Sequence, residues 1–225
     1  MREFIVVALS LPVLRVSGLG GEKMADLTMA HEVALKNFRG CSLEDIARCS
    51  GYPIDGNSLA VDFLGGHYKV DYPSGRFESV PISQGELPIG TQILILHYLA
   101  NPTEVLDTGK LISFKELPAG GIYIKPFTGR SIDPMVKIFG ANPNKLVEVV
   151  TSLGGQTNGL GDVGVTLRVF PRIPVTLVLW RADDEFPASG NILFDASAPL
   201  ILPTEDYAVL ASSVVFGLKR ISSNF

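Results

Sequence analysis

Apolar side chains recur at three- and four-residue intervals through Leu27, Ala30, Val33, Ala34 and Phe38, so the pattern predicts an amphipathic helix over Ala25–Phe38. Gly40 is a suitable stop. Ser42, with Asp45 three residues on, has the form of a cap for a second short helix ending near Ser50. Two alternating runs follow, Ser58–Leu64 and His67–Val70, and the Gly65-Gly66 pair between them is a hairpin signal. A turn at Pro73-Ser74-Gly75 leads to a third short strand, 76–80, completing an antiparallel meander. After a loop bracketed by Pro81 and Pro88, the stretch Thr91–Ala100 is apolar nearly all round, the pattern of a buried helix. Asn101-Pro102 ends it.

The second half reads as more strands and short helices. A strand is predicted over Lys110–Phe114, then a turn at Gly120-Gly121 into Ile122–Lys125, then helices over Ser131–Phe139 and Asn144–Leu153. Pro134 opens the first of these helices and Gly154-Gly155 stops the second. Residues 154–164 hold five glycines, but they follow a helix and precede a strand. That is the reverse of the phosphate-binding context, and the Lys of a P-loop is missing. Val165–Phe170 and Pro174–Trp180, rich in Val, Leu and Thr, form a central hairpin. Ile192–Asp195 is a further strand. Thr204 opens a last helix over Glu205–Lys219, with acids in its first turn and Lys219-Arg220 in its last, as the helix dipole prefers. Antiparallel strand groups with helices between them indicate an α+β fold, with several short helices packed around the C-terminal hairpin.

A chain of 225 residues buries roughly 70% of its unfolded surface. Residues 24–225 are therefore expected to form one globular domain. The net charge of −4, with Lys and Arg scattered, leaves no footprint for nucleic acid. Residues 1–23 make a poor signal peptide: Pro12 and Arg15 interrupt the apolar run, and no small-residue cleavage site follows. The run is also about half the length of a membrane span. Gly20-Gly21-Glu22-Lys23 back-translates to a ribosome-binding sequence just before Met24, so residues 1–23 are expected to be translated leader ahead of the true start. Cys41 and Cys49 lack both CxxC spacing and a nearby His pair, and read as two reduced thiols of a cytoplasmic protein. The mean hydropathy of +0.29 fits either a homodimer or a large core.

Candidate chemistry gathers around Val175–Asp206, where the run that ends at the only tryptophan, Trp180, gives way to Asp183, Asp184 and Glu185. If the strand continues, Asp183 and Glu185 share one face and Asp184 points away. Adjacent like charges cost stability unless a cation, hydrogen-bond donors or solvent compensate. His97, inside the apolar helix, is either a core histidine bonded to a neighbour or a ligand. Lys115 and Glu116 hold a turn or line a site. Asp195 and the pair Glu205-Asp206 also suit caps and turns. A ligand site built from His97, Lys115, Glu116, Asp183, Asp184, Glu185 and Asp195 would suit a divalent metal. His97, Asp183 and Glu185 would be its metal ligands, the imidazole widening the choice toward iron or zinc.

The motifs LHYL (96–99), FKELPAGGIY (114–123), LGG with GD (153–155, 161–162) and the run PRIPVTLVLWRADDEFPASGNILFD into LPTED resemble the family called domain of unknown function 3786, from about Ala30 to Lys219. The resemblance implies an uncharacterised protein of bacteria and archaea, mostly anaerobes. Some relatives carry an iron–sulfur cysteine domain, whose cysteine set this chain lacks. Three functions stand. The first is a soluble, cytoplasmic module binding a small molecule, metal or tetrapyrrole- or corrinoid-type metallocofactor in anaerobic metabolism, with a homodimer or redox-protein partner. The others are a structural or interaction protein, and a hydrolase or lyase using paired carboxylates.

Overall fold

The computed structural model describes residues 20–81 and 86–223. Of the expected leader, residues 1–19 lie outside the described residues, as do residues 82–85 of the Pro81–Pro88 loop. Helix α1 (Gly20–Arg39) is followed by α2 (Leu43–Ser50), where the Asp45 N–H donates to Ser42 Oγ at 3.1 Å. A four-stranded antiparallel meander comes next: β1 (Ile54–Asp55), β2 (Ser58–Phe63), β3 (Gly66–Asp71) and β4 (Phe77–Ser79), in that order across the sheet. The β2–β3 turn falls on Leu64-Gly65 rather than on Gly65-Gly66, with φ of 47° and 76°. A leucine accepts this left-handed backbone because its side chain is buried against Gly217 of the last helix. Gly66 is needed for space instead, since a Cβ there would meet the Tyr68 ring.

The apolar helix α3 (Ile89–Leu99) leads to β5 (Leu111–Ser113). Where a turn and an apolar segment were expected at 120–125, the chain forms helix α4 (Gly120–Phe127). Gly120 is required by close backbone approach, because a Cβ there would lie 1.9 Å from the Phe114 carbonyl oxygen. A π-helical turn (Thr128–Ile132) joins α4 to α5 (Asp133–Phe139), so the helical run begins well ahead of Ser131. The wide turn lies just past Pro126, which removes one helical donor, and is closed by the Asp133 N–H on the Thr128 carbonyl.

Helix α6 (Pro143–Ser152) precedes β6 (Gln156–Thr157), β7 (Val163–Phe170), β8 (Ile173–Trp180), β9 (Ser189–Asp195) and α7 (Thr204–Ser222). Strands β5 to β9 form a second antiparallel sheet, in the order β5-β9-β8-β7-β6. The expected hairpin is thus β7–β8, and β8 is the middle strand of five. Val175 and Leu177–Leu179 are buried on alternating faces, which explains an apolar run without polar alternation. Helix α6 lies against β7 and α5 against β9, while α7 packs on α6 and α3, and α3 on α1. Strand β2 of the meander touches β7, and residues of both sheets and most helices join one buried cluster. The architecture is α+β, as the sequence pattern indicates. No helix among the described residues is long and apolar enough to cross a membrane.

Candidate functional site

Local hydrogen bonds hold both sides of the site, the residue just past α3 and the first turn of α7. Asn101, just past α3, donates through Nδ2 to the carbonyls of Leu200 and Ile201, at 2.9 and 2.7 Å. Thr204, the first residue of α7, donates to the Pro118 carbonyl at 2.7 Å, and Tyr207 donates to the Ala198 carbonyl at 2.8 Å. Asp206 lies between these two anchors. Its carboxylate, 5% exposed, meets His97 Nδ1 at 2.7 Å. The His97 ring is itself 26% exposed.

Burial by itself would push the His97 ring below its ordinary pKa. The hydrogen bond that Nδ1–H donates to Asp206 and the negative charge of that carboxylate outweigh burial, and the ring's pKa is raised. A carboxylate on Nδ1 also fixes the tautomer: in the neutral ring Nδ1 carries the proton and Nε2 presents its lone pair. Nε2 has no hydrogen-bond partner and is not sealed off among the described residues. The arrangement can therefore accept a proton, donate one, or ligate a metal through Nε2, with Asp206 as the supporting carboxylate.

The other residues singled out in the sequence lie elsewhere, each with a visible local role. Strand β8 ends at Trp180, so Asp183, Asp184 and Glu185 stand on the exposed β8–β9 connection and not on a strand face. Asp183 closes that connection upon itself: Oδ1 accepts the N–H groups of Glu185 and Phe186 at 2.9 and 2.7 Å, and the Asp183 N–H donates to the Phe186 carbonyl. The donors of Phe186 and Glu185 lower the Asp183 pKa. Solvent removes the repulsion that a strand face would have imposed on the three acids. Glu116 reaches back to Ser113, accepting its N–H and its hydroxyl at 2.8 Å each, and these donors lower its pKa. Lys115 is exposed beside it.

Asp195, at the end of β9, is buried and fully engaged. One oxygen accepts the Thr108 N–H and hydroxyl and the Ser197 N–H, and the other accepts the Gly109 N–H, all at 2.8–3.0 Å. Burial pushes this carboxyl up, but the donors from Thr108 and Ser197 dominate and hold it at about 2. Cys41 and Cys49 are both free thiols, bonded weakly to the carbonyls of Ala100 and Pro102. Among the described residues no group of three or more His, Cys, Asp or Glu side chains is arranged to hold a metal ion. His97, Asp183 and Glu185 are thus not brought together. The partner that sequence reasoning missed is Asp206, which looked like a dipole-complementing acid of α7. The pairing spans 109 positions, and nothing local to either residue announces it.

A family model described as Domain of unknown function (DUF3786) matches residues 42–216. No curated protein matches the chain, and no solved structure does.

Proposed function

We propose a binding role for this chain, which belongs to the family described as Domain of unknown function (DUF3786). The reading is a cytoplasmic module that takes up a small molecule carrying its own metal, with His97 Nε2 as the protein's ligand to it. The observation that supports it is the buried Asp206 carboxylate holding His97 Nδ1 at 2.7 Å while Nε2 has no partner among the described residues. A carboxylate in this position orients a ligating imidazole and raises its basicity. With one imidazole and no three-residue donor set among the described residues, a bare divalent ion would find too few ligands. A tetrapyrrole- or corrinoid-type metallocofactor would bring most of its own metal ligands, so His97 Nε2, supported by Asp206, would be the one group the protein supplies to hold it, and the implied setting in anaerobes accords with such a cargo.

The test is metal content and visible spectrum of protein purified without oxygen, followed by titration with haemin and with hydroxocobalamin. Wild type and Asp183→Ala/Glu185→Ala should both give the spectral change of axial imidazole ligation, and His97→Ala should lose it. Absence of the change in wild type, or its persistence in His97→Ala, would overturn the reading.

A further inference from the structure

Helix α7 (Thr204–Ser222) turns one side into the core through Tyr207, Leu210, Ala211, Val214 and Leu218. Its opposite side carries Glu205, Ala208, Val209, Ser212, Ser213 and Phe216, none of them buried, and ends on exposed Lys219 and Arg220. The outward face of a helix is ordinarily polar and charged. This face has no charge between Glu205 and Lys219, a stretch of about 20 Å along the axis. It exposes Val209 at 38% and Phe216 at 49%, two turns apart in one line.

The charges that bound the face are opposite in sign, Glu205 at one end and Lys219 with Arg220 at the other. None of the three has an ion-pair partner among the described residues. The face is therefore complementary to itself when reversed. About a twofold axis at Ser212-Ser213, Glu205 of one copy comes opposite Lys219 and Arg220 of the other, and Val209 comes opposite Phe216. Ser212 and Ser213, at the crossing, are small, so the two helices can approach closely. A parallel arrangement would instead set like charges against each other at both ends.

We infer that the outward face of α7 is the interface of a homodimer in which the two α7 helices cross antiparallel. The occupant is a second copy of this chain because the face supplies both halves of its own complement, an acid at one end for the bases at the other. Pairing removes Val209 and Phe216 of both copies from water, and the end charges set the direction. Asp206 is turned toward α3, about 100° round α7 from Glu205, so the dimer does not use the His97–Asp206 pair.

The test is sedimentation equilibrium of the full chain over a range of concentrations, where the mass should rise from that of the 24.2 kDa chain to twice that value. Glu205→Lys and Lys219→Glu/Arg220→Glu should each weaken the dimer at least about tenfold, since each sets like charges together at both ends of a twofold pair. An equimolar mixture of these two variants should dimerise as the wild type does. In the mixed dimer the introduced lysine faces the introduced glutamates, and native Glu205 faces native Lys219 and Arg220. Phe216→Ser should weaken the dimer by removing the apolar contact, and far-UV circular dichroism confirms that each variant folds. A chain that stays monomeric throughout overturns the proposal and leaves the face to another partner. So does a dimer that the charge variants leave unchanged, or one that the mixture fails to restore. The result is independent of the His97 titration, so either reading can fail alone.

Discussion

Replacing Asp206 by Asn keeps the size of the side chain and removes its charge, and the structure dictates how the effect depends on pH. In the wild type the His97 pKa is raised above its ordinary value of 6.5. Stability from the pair is therefore fully present below 6.5 and is lost as pH rises through the folded-state value. In the Asn variant burial acts on His97 without a compensating charge, so its folded-state pKa falls below the ordinary value. That protein gains stability as pH rises through the same region. A hydrogen bond between charged partners contributes about 1.5–3 kcal/mol, and the partial exposure of the ring favours the lower end. Asp206→Asn should thus cost about 1.5 kcal/mol at pH 5.5. At pH 8.5 the cost should shrink to about 0.5 kcal/mol, because only a neutral ring bonded to an amide is compared with a neutral ring bonded to a carboxylate. The assay is urea unfolding of both proteins at the two pH values, with the His97 ring titrated by NMR. His31 and His67 are common to both and cancel in the difference. An equal cost at both pH values, or a His97 pKa that does not fall in the variant, would refute the reasoning.

Four further outcomes follow from single positions. Asp195, held at about 2, gives stability that is complete above the ordinary carboxylate value of 3.8 and is lost as pH falls toward 2; Asp195→Asn should cost about 2 kcal/mol at pH 7 and flatten the acid limb of a pH–stability curve. Gly120→Ala should cost about 3 kcal/mol or more by thermal denaturation, because its Cβ has no space against the Phe114 carbonyl, whereas Gly90→Ala in the first turn of α3, with nothing near its Cβ, should gain about 0.5–1 kcal/mol. Ser131 is fully buried in the π-helical turn and its hydroxyl has no partner among the described residues, so Ser131→Ala should be neutral or stabilising by up to about 1 kcal/mol in chemical denaturation.

The division between what was legible in the sequence and what was not follows the range of the interactions concerned. Helix α1 announces itself by apolar positions at helical spacing, α3 and the β7–β8 hairpin by nearly unbroken apolar runs and α7 by the charges at its ends, while caps such as Ser42 lie within a turn of what they cap. Local readings fail where the deciding contact comes from far along the chain. Leu64 takes the turn position that Gly66 was expected to share because Gly217, in the last helix, leaves a hollow for its side chain. Gly120-Gly121 opens a helix and not a bend, and Gly120 is needed there because the Phe114 carbonyl, six residues back, leaves no room for a Cβ. The same logic governs the candidate site. Asp183, Asp184 and Glu185 drew attention through adjacency, a property of sequence that solvent and two backbone donors neutralise. His97 and Asp206 each had an ordinary local explanation, a core histidine and a helix-dipole acid. Only the packing of α3 on α7, with Asn101 tied to the segment before α7, turns them into a pair with one ring nitrogen left for a ligand.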